Sequence, residues 1–118
     1  MYISFSQFSL KPDYSEEDVM KLFNESAIPI FRTIPGCVSY DLLKYLPDDT
    51  GTVRWEYAVM QVWESEEYRK KAVDEKKIGM ADSELQRTGF YDKFRDMAEN
   101  YYIYNFSISD DSNPFMGD

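Results

Sequence analysis

Residues 53–63 read VRWEYAVMQVW, and the reading of this stretch decides the fold. At period two, Val53, Trp55, Tyr57, Val59, Gln61 and Trp63 share one face, while Ala58, Met60 and Val62 make the other face apolar too. A strand apolar on both faces belongs to a sheet that is covered on both sides. Working backwards, Val38–Leu46 (VSYDLLKYL) is a second strand, and Pro47-Asp48-Asp49-Thr50-Gly51 is the turn that makes the pair a hairpin. Further back, residues 2–10 alternate, with Tyr2, Ser4, Ser6, Phe8 and Leu10 on one side and Ile3, Phe5, Gln7 and Ser9 on the other. Near the far end, Tyr102–Ser109 (YIYNFSIS) is a fourth strand.

Two helical stretches connect these strands. Ser15-Glu16-Glu17-Asp18 has a capping side chain followed by acids, which suit the positive end of a helix dipole. Val19, Leu22, Phe23, Ala27, Ile30 and Ile34 continue it as an apolar stripe. Pro29 should kink or interrupt that helix, because it has no N–H to donate, and Pro35-Gly36 should end it. Ser65-Glu66-Glu67 repeats the start signal and predicts a helix over 66–78, broken near Gly79. A further helical piece runs through Phe90, Phe94, Met97 and Tyr101.

The order is β-α-β, hairpin, β-α-β within residues 1–109, followed by a polar acidic tail over 110–118. Its simplest realisation is an α+β, ferredoxin-like βαββαβ domain with a four-stranded antiparallel sheet and helices on one face. The uncovered face then calls for a second copy packed sheet to sheet, and closed two-fold pairs are the commonest oligomers. Period two leaves open whether Trp55, Tyr57 and Val59 or Ala58, Met60 and Val62 meet that partner.

Composition narrows the function classes. Aromatic residues reach 17%, with ten Tyr and eight Phe, more than a core of 118 residues can bury alone. A subunit contact or a ligand pocket is the natural place for the excess. The formal charge of −9 disfavours nucleic acid and anionic membrane as partners. No apolar run reaches membrane-span length, and the basic-then-apolar order of a leader is missing, so the cytoplasm is the expected compartment. Cys37 is the single cysteine and cannot form an internal disulfide. Histidine is absent, which removes His-based triads and His-ligated zinc or haem within one chain. With no Gly-rich phosphate loop either, the expectation is a protein without metal, flavin or haem.

At Ile34-Pro35-Gly36-Cys37-Val38-Ser39-Tyr40 and Val62-Trp63-Glu64-Ser65 the sequence resembles the antibiotic-biosynthesis-monooxygenase-like family of dimeric α/β-barrels. The resemblance in element order spans residues 2–109. It implies a homodimer through the sheet face and, as the activity, cofactor-independent oxidation of a small aromatic or quinone-forming compound. The alternative is a dimeric small-ligand-binding or accessory domain without catalysis. Haem breakdown, also found among such proteins, fits badly: those members rely on a helix His, and Gln7 falls where they place an Asn. Related oxygenases use an Asn, a Trp and a Tyr near the Trp-Glu-Ser junction. Trp63 stands at the Trp, Tyr68 lies close to the Tyr, and Val59 is near the place of the Asn. Gln7 or Asn105 would have to supply the amide.

The candidate catalytic residues are therefore Trp63, Tyr68 and Gln7, and the candidate ligand contacts are Gln7, Trp63, Tyr68 and Asn105, in a pocket between the sheet and segment 66–100. Each has a plain packing alternative. Trp63 can be a wall between sheet and helix, Tyr68 a ring laid on the sheet, and Gln7 and Asn105 amides bonded to nearby backbone. Cys37 reads as a small buried hydrophobe, and the Glu16-Glu17-Asp18 and Glu66-Glu67 clusters as helix starts.

Overall fold

Both serine caps form as the sequence requires. In the computed structural model, which describes residues 1–46, 55–79 and 81–107, Ser15 Oγ accepts the Asp18 N–H at 3.3 Å and Asp18 Oδ2 accepts the Ser15 N–H at 2.8 Å. This reciprocal pair opens α1 (Glu16–Leu22), and Ser65 Oγ, accepting from Tyr68 N–H, opens α3 (Glu66–Asp74). Pro29 does not break the first helical rod. The turn before it widens to π geometry over Phe23–Ala27, and α2 (Ile28–Phe31) continues beyond with Pro29 in its first turn. A π-turn changes the hydrogen-bond partners locally, which accommodates the missing proline donor.

The strands are β1 (Tyr2–Leu10), β2 (Cys37–Lys44), β3 (Tyr57–Trp63) and β4 (Ala98–Ser107), in sheet order β2-β3-β1-β4, all antiparallel. This is the ferredoxin-like arrangement. After α3 come a short helix α4 (Glu84–Arg87), which the sequence reading missed, and α5 (Phe90–Met97). The last strand begins four residues earlier than its pattern suggests. Ala98 and Glu99 already pair with Leu10 and Ser9, and the irregularity around Asn100, at φ 55°, places Tyr101 in the strand and not in the helix. The expected turn at residues 47–51, the start of the third strand at 53–54, strand residues 108–109 and the tail at 110–118 lie outside the described residues.

Which face is inside is now decided. Ser4, Ser6 and Phe8 of β1 point to the helices, as do Tyr57, Val59 and Trp63 of β3, all buried. Ile3, Phe5 and Gln7 lie on the opposite face, registered with Val62, Met60 and Ala58 of β3. On β4 the partners of Ile3, Phe5 and Gln7 are Phe106, Tyr104 and Tyr102, all exposed. Among the described residues nothing covers the face carrying Ala58, Met60 and Val62, and the face carrying Val59 and Tyr57 packs under the helices.

Much of the aromatic excess lies in the core between these layers. Phe31 stacks on Tyr40 at 3.9 Å, Phe94 meets Phe8 edge-on at 4.8 Å, and Phe90 meets Phe23 edge-on at 5.1 Å. Offset and edge-to-face contacts of this kind add about 0.5–1.5 kcal/mol each beyond their burial. At one corner, Tyr57 donates its hydroxyl to Glu16 Oε1 at 3.2 Å, and Lys44 Nζ reaches the same oxygen at 2.7 Å. These contacts tie the start of α1 to β2 and β3. The Lys44 and Tyr57 contacts hold the Glu16 carboxyl below its ordinary value, while burial and that carboxylate push the Tyr57 hydroxyl up to about 12.

Candidate functional site

A cavity of about 440 Å³ lies between the sheet and the segment from α3 to α5. It exists because the residues beneath it are small. β1 places Ser4 and Ser6 on its helix-facing side where Phe8, two residues on, fills the space with a ring. Gly79 and Ala98 leave further room at the edges. Apolar walls come from Phe31, Ile78, Phe94 and Ile103. A smaller void of about 90 Å³ shares several of these residues and reaches inward to Tyr40 and Val59.

Besides Ser4, Ser6, Arg69 and Arg95, three neutral side chains line the cavity with polar atoms. Gln61 of β3 accepts the Trp63 indole N–H on Oε1 at 3.1 Å. An indole can only donate, so the amide oxygen faces it and the Gln61 –NH₂ is turned away, free to act as a donor to the cavity that Gln61 lines. Tyr91 of α5 accepts the Gly79 N–H on its hydroxyl at 2.8 Å, which holds the oxygen and leaves its proton to donate elsewhere. Tyr101 of β4 packs edge-on against Phe94 at 5.3 Å, with its hydroxyl bonded to Ser6. Burial raises both tyrosine hydroxyls above the ordinary phenol value, opposed by the Gly79 bond for Tyr91 and the Ser6 bond for Tyr101. Both therefore stay protonated donors at neutral pH.

The residues singled out from the sequence do not converge here. Gln7 lies on the uncovered sheet face, one residue out of phase with Ser6, so its placement in the pocket wall is corrected. The expectation put the more apolar side of β1 inside, whereas a cavity needs small side chains beneath it, and the serine side supplies them. Trp63 is fully buried behind Gln61, outside the cavity lining, with its one donor already used. Tyr68 lies over the Pro35-Gly36 turn. A Cβ at Gly36 would fall 2.2 Å from its Cγ, and the ring does not line the cavity. Asn105 pairs with Ser4 on the helix-facing side of β4, at the exposed edge of the sheet and also outside the lining. Cys37 is half-buried, and burial pushes its thiol up to about 11, so it is an unreactive thiol at neutral pH.

Sequence reasoning missed Gln61, Arg69, Tyr91 and Tyr101. Gln61 was legible as a polar residue between Val59 and Trp63. Arg69 stands three residues before the buried Ala72 of α3, so the two share the helix face turned to the sheet. Tyr101 was hidden by the unexpected start of β4.

The family model for antibiotic biosynthesis monooxygenases matches residues 1–74, more than half of the chain, and the chain belongs to that family. Among solved structures it is similar to SnoaB, a cofactor-independent oxygenase from Streptomyces nogalater, at 16% identity and TM-score 0.62, covering 92% of this chain and 93% of that one. A dabb family protein with a ferredoxin-like fold from Mesorhizobium loti matches at 9% identity and TM-score 0.64, covering 92% and 96%. A dimeric protein of unknown function with a ferredoxin-like fold from Bacteroides fragilis matches at 12% identity and TM-score 0.57, covering 91% and 95%. At these identities the likeness shows the fold. No curated protein matches the chain. No helix among the described residues is long and apolar enough to cross a membrane.

Proposed function

We propose that this chain is a cofactor-independent monooxygenase that oxidises a small aromatic, quinone-forming compound in the cavity under α3–α5, working as a homodimer. The observation that carries this reading is the cavity itself. It is roomy and mostly apolar, and it is furnished with the donors of Gln61, Tyr91 and Tyr101. Family membership and the shared fold with SnoaB support it. A phenol or hydroquinone held there would form its anion against these fixed donors, since preorganised hydrogen bonds stabilise developing negative charge. The electron-rich anion then reduces dioxygen. One oxygen atom enters the substrate ring system, the other leaves as water, and the substrate supplies all four electrons. Trp63 acts in this scheme as a positioning residue through Gln61.

The test is oxygen uptake by purified protein with anthrone as the probe, in the presence of a chelator and with labelled dioxygen. Formation of anthraquinone carrying one labelled oxygen, faster than without protein, is the expected outcome. Saturable anthrone binding without oxygen consumption would instead favour a dimeric binding domain, a reading to which the engaged Trp63 N–H lends weight.

The dimer reading rests on the uncovered face, where Phe5 sits between Met60 on β3 and Tyr104 on β4. A continuous apolar surface of this kind is seldom left in water, and the Bacteroides fragilis neighbour is described as dimeric. Phe5→Asp should convert a dimer to a folded monomer at micromolar concentration, because an unpaired carboxylate at the centre of a dry interface costs several kcal/mol. Sedimentation showing that the unmodified protein is already a monodisperse monomer would refute the dimer.

A further inference from the structure

The chain carries 22 acids against 13 bases, yet the described lining of the main cavity contains two arginines, Arg69 and Arg95, and neither Asp nor Glu. Arg95 is exposed and its guanidinium lies 3.4 Å from Asp92, so much of its charge is already answered. Arg69 differs. It is half-buried at the cavity wall, pairs with no carboxylate among the described residues, and its Nε is buried without an acceptor. Its guanidinium is a planar, positively charged fork of N–H donors. A partly desolvated cation with an unmet N–H, set in an apolar wall, is an unfavourable arrangement. An anionic oxygen beside it would remove that penalty.

We infer that the cavity takes a ligand with an aromatic or other apolar body that bears a carboxylate, and that Arg69 is the counter-ion that selects for it. This rests on the cavity being a ligand site, as proposed above, and adds the charge of what enters. The division of the walls fits such a molecule. The rings of Phe31 and Phe94 and the side chains of Ile78 and Ile103 suit an apolar body, while the planar fork of Arg69 suits the two oxygens of a carboxylate. The hydroxyls of Tyr91 and Tyr101 feel the positive charge of Arg69, which places all three groups in one neighbourhood. Beside the neutral donors of Gln61, Tyr91 and Tyr101 and the ion-paired Arg95, Arg69 is the described lining cation with no carboxylate partner among the described residues.

The probes are 2-naphthoic acid and 2-naphthamide, which share a ring system and differ in charge, titrated calorimetrically into the full-length protein at pH 7. The acid should bind about 10–100-fold more tightly than the amide, the range expected when a charged hydrogen-bonded pair replaces a neutral one. Arg69→Met keeps most of the aliphatic stem and should erase that preference while leaving amide affinity within about threefold. Arg69→Lys should retain part of the preference. Far-UV circular dichroism and the melting temperature establish that each variant is folded. If acid and amide bind alike to the unmodified protein, or if Arg69→Met keeps the preference, the inference is wrong and the cavity remains a ligand site for neutral molecules. If neither probe binds, and anthrone does not bind either, both the inference and the ligand-site reading fall together.

Discussion

Gly36→Ala is expected to destabilise the fold by about 2–5 kcal/mol, a large share of the roughly 5–15 kcal/mol available to a domain of this size. Two effects add at this position. The backbone is left-handed at φ 83°, which costs a residue with a Cβ about 1–2 kcal/mol. The new methyl would also lie 2.2 Å from Cγ and 2.5 Å from Cβ of Tyr68, too near the root of that side chain for a small rotation to relieve. The ring would have to leave, and with it the contact that seats α3 beside the end of the first helical rod. The second mutation separates the two terms. Tyr68→Ala alone should cost only about 1 kcal/mol, since the ring is already 39% exposed. In the Tyr68→Ala background, Gly36→Ala should cost only the conformational part, and the coupling between the sites should be 1 kcal/mol or more, on the order expected for residues in contact. Urea unfolding of the four proteins at constant slope measures this directly. Additive costs would show that Tyr68 does not pack on Gly36 in solution.

Trp63→Ala should cost about 3–5 kcal/mol, because the largest fully buried side chain leaves a void where sheet, α2 and α3 meet. Trp63→Phe is the more informative change. It keeps a ring against Phe31, whose centroid lies 6.2 Å from the indole, and removes the N–H that fixes the Gln61 amide. Its stability cost should be about 1–2 kcal/mol. Binding and turnover of anthrone should fall more than that loss of stability explains, because the freed amide can flip and present its oxygen to the anion. Gln61→Leu should reproduce the binding defect while Trp63 remains in place. If folded Trp63→Phe oxidises anthrone unchanged, Trp63 has no part in the chemistry, direct or through Gln61, and its role is that of a wall.

Apart from the short α4, the element order was legible because the strands and longer helices carry local signals. Ser15 and Ser65 with the acids behind them start helices in any context that permits one, and period-two alternation from Tyr2 to Leu10 makes a strand wherever it pairs. Pro35-Gly36 ends the first helical rod for the same local reason, since only a residue without a Cβ turns there so cheaply and also fits beneath Tyr68. Local signals misled where a longer-range pairing outweighed them. Pro29 is absorbed by a π-turn because the apolar stripe on either side stays buried, and the helical spacing that ends at Tyr101 yields to pairing of Ala98 and Glu99 with β1.

The site was far less legible. Alternation says that a strand has two faces but not which one meets the helices, so Gln7 was placed inside when it lies outside. That choice is made only when the helices dock and the small Ser4 and Ser6 leave room beneath them. The position of Arg69 is likewise a matter of packing: in sequence it stands among Lys70 and Lys71 as part of a solvated face, and only the burial of Ala72 against the sheet carries it to the cavity wall. By itself the sequence determined the order of the strands and the longer helices, the serine caps at Ser15 and Ser65 and the glycine turn at Gly36, because those depend on residues a few positions apart. The tertiary structure alone decided which side chains share the cavity, because Ser6, Gln61, Arg69, Tyr91 and Tyr101 come from five different elements and meet only through the packing of sheet against helices.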